Sequence, residues 1–374
     1  MIHYEKKVAK RETYLDCLRI MATFAVMILH LASQNWYAVE VGTYEWRVFS
    51  FYDGMVRWAV PVFVMISGAL FLNRDISINK LFKINVTRIA VAFVFWSFLY
   101  AAVNVVTGRS ELKTALREFV EGPPHLWFLF MIIGLYILVP LLKKIVANDE
   151  MAKYFVLLSL IFTFILPYVT AILSLYSKKL GSIAGQIITN VDFNFTLGYV
   201  SYFVYGYYFS RININGKRKL IVCLLGIAGQ LVTLFAYVIL PVSEKYTSSV
   251  LHANMTVNVM LVSVALFILF KNSKRLSNIC DRPCDYDESN GENPDLNTTM
   301  DNVANVLKML SKYSFGAYLV HVMVIVQMNH ILGLNTLSFD PALSVPVIGM
   351  ISFVISYVIS GILHHIPVLN RYIV

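Results

Sequence analysis

The chain has 374 residues, of which 58% are hydrophobic and only 14% are charged. A soluble globular domain carries about 25% charged residues, so this composition excludes one and predicts a protein embedded in a bilayer. The net charge of +9 does not indicate a nucleic-acid partner, because the basic residues lie between apolar segments and not on one soluble face.

Apolar segments recur along the whole chain, each long enough to cross about 30 Å of hydrocarbon as a helix. The first follows a basic amino terminus, but it is about 20 residues long and lacks a small-residue cleavage site, so it is predicted to remain as a helix. The predicted fold class is therefore all-α: a polytopic integral membrane protein with about ten transmembrane helices and one membrane domain over residues 1–374. The segments lie at residues 14–33, 54–72, 87–106, 125–142, 153–175, 191–210, 219–241, 254–270, 313–332 and 344–366.

The distribution of Lys and Arg predicts the orientation of these helices. With the amino terminus in the cytoplasm, 23 of the 31 Lys and Arg residues lie on the inner side and eight on the outer side. Cytoplasmic loops carry the excess of positive charge, so both termini are predicted to be cytoplasmic in a multi-pass plasma-membrane protein.

The longest polar interruption, residues 271–312, is predicted to be a flexible cytoplasmic loop. It contains several acidic residues, but placing Gly291 at the sixth position of a calcium loop leaves the coordinating positions without carboxylates. The two cysteines in the loop, Cys280 and Cys284, do not match a common zinc spacing. No metal site is predicted.

The first apolar segment contains two ionisable residues, Arg19 and His30, which are costly in a membrane and therefore suggest function. Eleven residues at 100° each bring them to within about 20° of the same direction, separated by roughly 16 Å along the axis. They would line one face, the cation near the cytoplasm and the imidazole in the outer half. The structural alternative is that Arg19 extends to the inner surface, paired with Asp16, while His30 forms an interhelical hydrogen bond.

Polar residues in other segments point to the same interior. Ser314, Tyr318 and His321 are spaced by four and three residues and share one face of the ninth segment. His125 lies at the start of the fourth segment after two prolines, close to Trp127. Helix packing, a helix cap and an interfacial anchor are the structural alternatives for these residues.

A basic group is predicted to face the cytoplasm, where a phosphate-bearing ligand or an anionic lipid would meet it. The group contains Arg74, Lys80, Lys83 and Arg88.

Four sequence blocks, in order along nearly the whole chain, resemble the acyltransferase family 3 membrane proteins. The most specific is Arg19, ten intervening residues and His30. A departure is that the cytoplasmic start of the third segment lacks closely spaced arginines, since four residues separate Lys83 from Arg88. The other blocks are Val60–Phe63 leading to Ser67–Gly68, His125–Leu129 and Tyr313–His321.

The resemblance implies an acyltransferase that moves an acyl group, usually acetyl, from cytoplasmic acyl-CoA to a hydroxyl of an extracytoplasmic or lipid-linked glycan. Acetyl-CoA is then the donor substrate, and no metal is required. His30, Arg19 and His321 are the predicted catalytic residues. The predicted donor-binding residues are Arg19, Arg74, Lys83 and Arg88, and the predicted substrate-binding residues are His125, Trp127, Ser314 and Tyr318.

Two other classes of function fit a polytopic protein with polar residues inside it. A small-molecule transporter uses such residues along its substrate path and commonly contains inverted repeats, although no repeat is visible in this sequence. A non-catalytic component of a polysaccharide export assembly is the third hypothesis. Both rivals predict that His30→Ala leaves acyl transfer unchanged.

Overall fold

The computed structural model describes residues 12–191, 198–238, 253–273, 276 and 294–373. All regular structure in these ranges is helical, which confirms the all-α prediction. The first seven helices are α1 (Thr13–Gln34), α2 (Tyr44–Val56), α3 (Ala59–Leu72), α4 (Ile78–Val106, with a π-helical turn at Leu81–Val86), α5 (Leu112–Glu121), α6 (Trp127–Val146) and α7 (Asp149–Ser159, continuing through a π-helical turn at Leu160–Ile165 to Leu166–Tyr176).

The remaining helices carry the chain to its last described residues. They are α8 (Lys178–Val191), α9 (Tyr199–Ser210), α10 (Gly216–Val238), α11 (Val257–Lys271), α12 (Pro294–Leu332), α13 (Pro341–His364) and α14 (Pro367–Tyr372).

Eight helical segments in the described ranges are long and apolar enough to cross a membrane. The protein is thus a multi-pass membrane protein, as predicted. The sixth and eighth predicted segments, 191–210 and 254–270, correspond to the shorter helices α9 and α11. Residues 192–197 of the sixth segment lie outside the described residues. So do residues 239–252, which include the end of the seventh predicted segment.

The predicted loop at 271–312 differs from the structure over its second half, because α12 already begins at Pro294. Hydropathy alone does not detect this extension, since Lys308 and Lys312 interrupt the apolar pattern. Residues 274–275 and 277–293 of that loop lie outside the described residues. Helices α5 and α14 were not predicted either, because they are too short to span a bilayer.

Helix α1 lies at the centre of the protein, in contact with α2, α3, α11, α12 and α13. Beside it, α3 and α9 cross with their backbones nearly touching at Gly68 and Gly206. A Cβ atom on Gly68 would lie 2.6 Å from the carbonyl carbon of Phe203, closer than real side chains approach. Small residues permit such close crossings of helices in membranes.

The turn before α6 places His125 inside the protein. Gly122 ends α5 with φ of 69°, a left-handed conformation that favours glycine. Pro123 is extended and Pro124 begins a single 3₁₀ turn, Pro124–Leu126, that leads into α6. His125 is consequently buried, with 3% of its surface exposed.

Candidate active site

Three histidines from distant parts of the sequence meet in one cluster. The ring centroids of His30 and His321 are 5.1 Å apart, those of His125 and His321 are 5.3 Å apart, and those of His30 and His125 are 6.1 Å apart. They come from α1, the turn before α6, and α12. The structure therefore brings together His30, His125 and His321, which we call the histidine cluster.

Backbone carbonyls fix the orientation of two of these rings. Nδ1 of His321 donates to the carbonyl of Tyr318 at 2.5 Å, and Nε2 of His125 lies 3.5 Å from the carbonyl of Leu319. A carbonyl only accepts hydrogen bonds, so in a neutral ring the other nitrogen carries a lone pair. Those other nitrogens, Nε2 of His321 and Nδ1 of His125, are buried and have no hydrogen-bond partner among the described residues.

A cavity of about 490 Å³ lies on one side of the histidine cluster. Ser311, Ser314 and Tyr318 line it along successive turns of α12, and His321 follows one turn beyond Tyr318. Tyr318 separates the cavity from the cluster, because its ring centroid lies 6.0 Å from that of His125 and 5.6 Å from that of His321. The cavity thus ends directly beneath the three imidazoles.

Arg19 lines this cavity and is held by a polar network. Its Nη1 donates to Ser311 Oγ at 2.6 Å and lies 3.4 Å from Asp16 Oδ1, while Ser311 Oγ donates to the same carboxylate oxygen. The Asp16–Arg19 pair is the structural alternative suggested by the sequence. The guanidinium still reaches the cavity, so pairing and ligand contact are compatible here.

The predicted donor-binding residues do not all lie in one place. Arg88 lines the same cavity as Arg19, whereas Arg74 lines a second cavity of about 720 Å³. Arg19 lines both cavities, so the two adjoin at its side chain. Lys83 is exposed on the π-helical turn and is not among the described residues that line either cavity.

The predicted substrate-binding residues divide in the same way. Ser314 Oγ donates to the carbonyl of Leu310 at 2.9 Å and lies 2.9 Å from the hydroxyl of Tyr357, while the Tyr318 hydroxyl donates to the carbonyl of His125. Both residues therefore line the cavity while their hydroxyl groups form hydrogen bonds within the protein. Trp127 is 44% exposed and packs on Tyr199, with ring centroids 5.7 Å apart, a location that suits an interfacial anchor.

The structure adds polar residues to the cavity that were not predicted as site residues. Lys312, His364 and Asn370 line it from α12, α13 and α14. Lys312 had been counted only among the positive charges that predict the orientation. The sequence of the last helices showed no pattern that indicates which face lies inside the protein. In addition, Arg57 acts electrostatically on His30 from a partly buried ion pair with Asp53.

One comparison with known proteins gives a match. A family model described as an acyltransferase domain, of the acyltransferase 3 type, matches residues 12–361. No curated protein and no solved structure gives a significant match to the chain. The matched range begins just before α1 and includes all three members of the histidine cluster. Because the match extends over nearly the whole of a multi-pass helical protein, the chain belongs to the acyltransferase family 3 of membrane proteins.

Proposed function

We propose that this protein transfers an acetyl group from cytoplasmic acetyl-CoA to a hydroxyl of an extracytoplasmic or lipid-linked glycan. The observation that carries the proposal is the position of the histidine cluster directly beyond a cavity with basic walls. Membership of the family supports an acyltransferase; the acetyl donor and the glycan acceptor are the proposed part.

Basic residues support an anionic donor in the cavity. Arg19, Arg88, Lys312 and His364 line it, and none of the described residues lining it is acidic. Arg74 and Arg211 line the adjoining second cavity, together with the acidic residues Glu12 and Asp16. Guanidinium groups bind phosphates with paired hydrogen bonds. Lys83 stays a weaker candidate donor residue in this proposal, since it is exposed and lines neither cavity.

His30 is the proposed general base. Its ring makes no hydrogen bond to any described residue, and it is only half-buried, so a ring nitrogen is available to accept a proton from the acceptor hydroxyl. The hydroxyl oxygen then attacks the carbonyl carbon of the thioester. The carbon–sulfur bond breaks, and the CoA thiolate leaves and receives the proton held by the imidazole.

His125 and His321 are proposed to orient His30 and to relay that proton. Each carries a buried nitrogen without a hydrogen-bond partner among the described residues, and each ring lies against His30. A covalent route, in which His30 attacks the thioester and passes the acetyl group to the hydroxyl, uses the same geometry. Ser314 and Tyr318 are proposed to stabilise the oxyanion, after their hydroxyls exchange the present acceptors for the substrate oxygen.

Transfer of radiolabelled acetyl from acetyl-CoA in membrane vesicles tests the proposal. Wild-type vesicles with the cytoplasmic face accessible are expected to accumulate label in a glycan fraction. His30→Ala is expected to abolish that label at an unchanged protein level, because the proposed base is lost. Arg19→Ala is expected mainly to raise the KM for acetyl-CoA.

The matched control is His330→Ala, which removes an exposed histidine from the same helix as His321. It is expected to retain wild-type transfer. If His30→Ala transfers acetyl as fast as His330→Ala, the proposed catalytic role is wrong. If label stays on CoA with every glycan acceptor tried while an unmodified solute crosses the membrane, the transporter hypothesis is favoured instead.

A further inference from the structure

Helix α5 carries an apolar face that the described part of the protein leaves uncovered. Leu112, Leu116 and Val120 recur at every fourth residue, and 79%, 71% and 66% of their respective surfaces are exposed. Together with Ala115 and Phe119 they occupy an arc of about 140°, at 100° per residue. An apolar stripe of this width on a surface helix is normally buried, so the partner of this face lies outside the described residues.

The remaining arc of α5 is polar and charged. It contains Lys113, Thr114, Arg117, Glu118 and Glu121. Nε of Arg117 donates to Glu121 Oε1 at 2.7 Å, and both side chains are largely exposed. Glu118 accepts hydrogen bonds from Asn104 Nδ2, at 3.0 Å, and from Ser110 Oγ, which tie the helix to the end of α4. The helix is thus divided into one apolar side and one charged side.

The chain holds α5 beside a membrane span. The helix connects α4 to α6, which are both long and apolar enough to cross a bilayer. Its own ten residues extend about 15 Å, too short for a crossing of about 30 Å. Phe119 packs edge-on against Phe98 with ring centroids 6.3 Å apart, and a Cβ atom on Gly122 would lie 2.7 Å from the ring of Phe93. Helix α5 therefore folds back along the last turns of α4.

The lipid-facing surface of α4 continues onto the apolar face of α5. Val91, Val94 and Phe98 are exposed and follow one another at spacings of three and four residues, so they form one stripe along α4. An exposed apolar stripe on a membrane span faces the acyl chains of lipids. The apolar arc of α5 meets this stripe at the contact between Phe98 and Phe119, so the two surfaces are continuous.

We propose that the apolar face of α5 is inserted among lipid acyl chains beside α4, with its charged face at the headgroups, so that the bilayer is the partner of this surface. Amphipathic helices with leucine on one face and charges on the other bind membranes in this way. Lys113 and Arg117 are matched in number by Glu118 and Glu121, so the insertion needs no anionic lipid. The inference does not depend on the proposed function.

Insertion of α5 also bears on the histidine cluster. The helix ends at Glu121, and Gly122 begins the turn that carries His125. A Cβ atom on Gly122 would lie 2.9 Å from Ser97 Oγ, so the end of α5 is packed closely against α4. A helix held by lipid on one face and by α4 on another fixes the start of the turn to His125.

Tryptophan fluorescence in vesicles whose lipids are brominated in their acyl chains tests the proposal. The full chain is purified and reconstituted in phosphatidylcholine, with unbrominated vesicles as the reference. Leu116→Trp adds a sixth tryptophan on the apolar face, and wild-type protein supplies the emission of the five native ones. The added emission is expected to be largely lost in the brominated vesicles and to persist when iodide is added to the water.

Arg117→Trp is the matched control. It changes the next residue along the helix, which lies 100° further round on the charged face and is largely exposed. Its added emission is expected to be lost on addition of iodide and largely retained in the brominated vesicles. Both substitutions are at exposed positions, so the fold is expected to tolerate them.

Three results would overturn the proposal. Quenching of Leu116→Trp by iodide alone would place the apolar face in water. Protection of Leu116→Trp from both quenchers would show that protein, such as a second copy of the chain, covers the face. Equal quenching of Leu116→Trp and Arg117→Trp by the brominated lipid would refute the division into a lipid face and a headgroup face. None of these measurements involves acyl transfer, so their failure leaves the proposed function unaffected.

Discussion

The crossing of α3 and α9 makes Gly68 the position where an added methyl group should cost most. A Cβ atom at Gly68 would lie 2.6 Å from the carbonyl carbon and 2.9 Å from Cα of Phe203. Ordinary contacts of a Cβ atom begin near 3.4 Å. The obstacle is backbone, which cannot rotate away as a side chain can, so Gly68→Ala requires the two helices to separate.

Overpacking of this kind costs about 1–3 kcal/mol or more. Gly134→Ala is the matched control, because Gly134 lies inside α6 and an added Cβ would meet nothing within 4 Å. Both substitutions gain the same helix propensity, about 1 kcal/mol, so the difference between the two variants measures the clash. In domains of roughly 150–250 residues, 1 kcal/mol shifts Tm by about 2–4 °C.

Thermal unfolding in detergent, followed by intrinsic fluorescence, provides the assay. Gly68→Ala is expected to unfold about 5 °C or more below Gly134→Ala. It should also lose transfer activity, because the neighbouring Ser67 lines the cavity. Unfolding of the two variants at the same temperature would refute the close crossing of α3 and α9.

Two further contacts yield predictions of direction and size. The Tyr100 hydroxyl donates to the carbonyl of Leu319 at 3.0 Å and accepts from the amide of Met323 at 2.9 Å. Tyr100→Phe is expected to cost about 1–3 kcal/mol, since it removes both of these hydrogen bonds beside the histidine cluster; thermal unfolding close to wild type would contradict this. Asp53→Asn should destabilise the protein by about 1–3 kcal/mol, because it removes the acidic partner of the half-buried Arg57. The double variant Asp53→Asn, Arg57→Gln is expected to recover part of that loss in the same unfolding measurement, and no recovery would argue against the ion pair as the cause.

The membrane character and most helix positions follow from the sequence through simple physics. A bilayer demands about 20 apolar residues for each helical crossing, so hydropathy locates such segments without knowledge of their partners. The same property explains why the first part of α12 was assigned to a loop. A helical extension with lysines is not recognised as part of a span, even when it continues an apolar helix.

The direction of side chains along one helix was likewise accessible before the structure was known. Helical spacing placed Arg19 and His30 on one face of α1, and it placed Ser314, Tyr318 and His321 on one face of α12. Spacing could not show that both faces meet at one point with His125. That meeting depends on which helices are neighbours and on the turn at Gly122, which turns the chain so that His125 is buried.

The cavity walls belong to the tertiary structure alone. Lys312, His364 and Asn370 are separated in the sequence and follow no shared period, yet α12, α13 and α14 bring them to the same wall as Arg88. By contrast, Lys83 has the charge and the position in the chain of a donor ligand and lies exposed. A periodic pattern reports the face of a single helix, whereas the composition of a site depends on crossings between helices, which long-range packing determines.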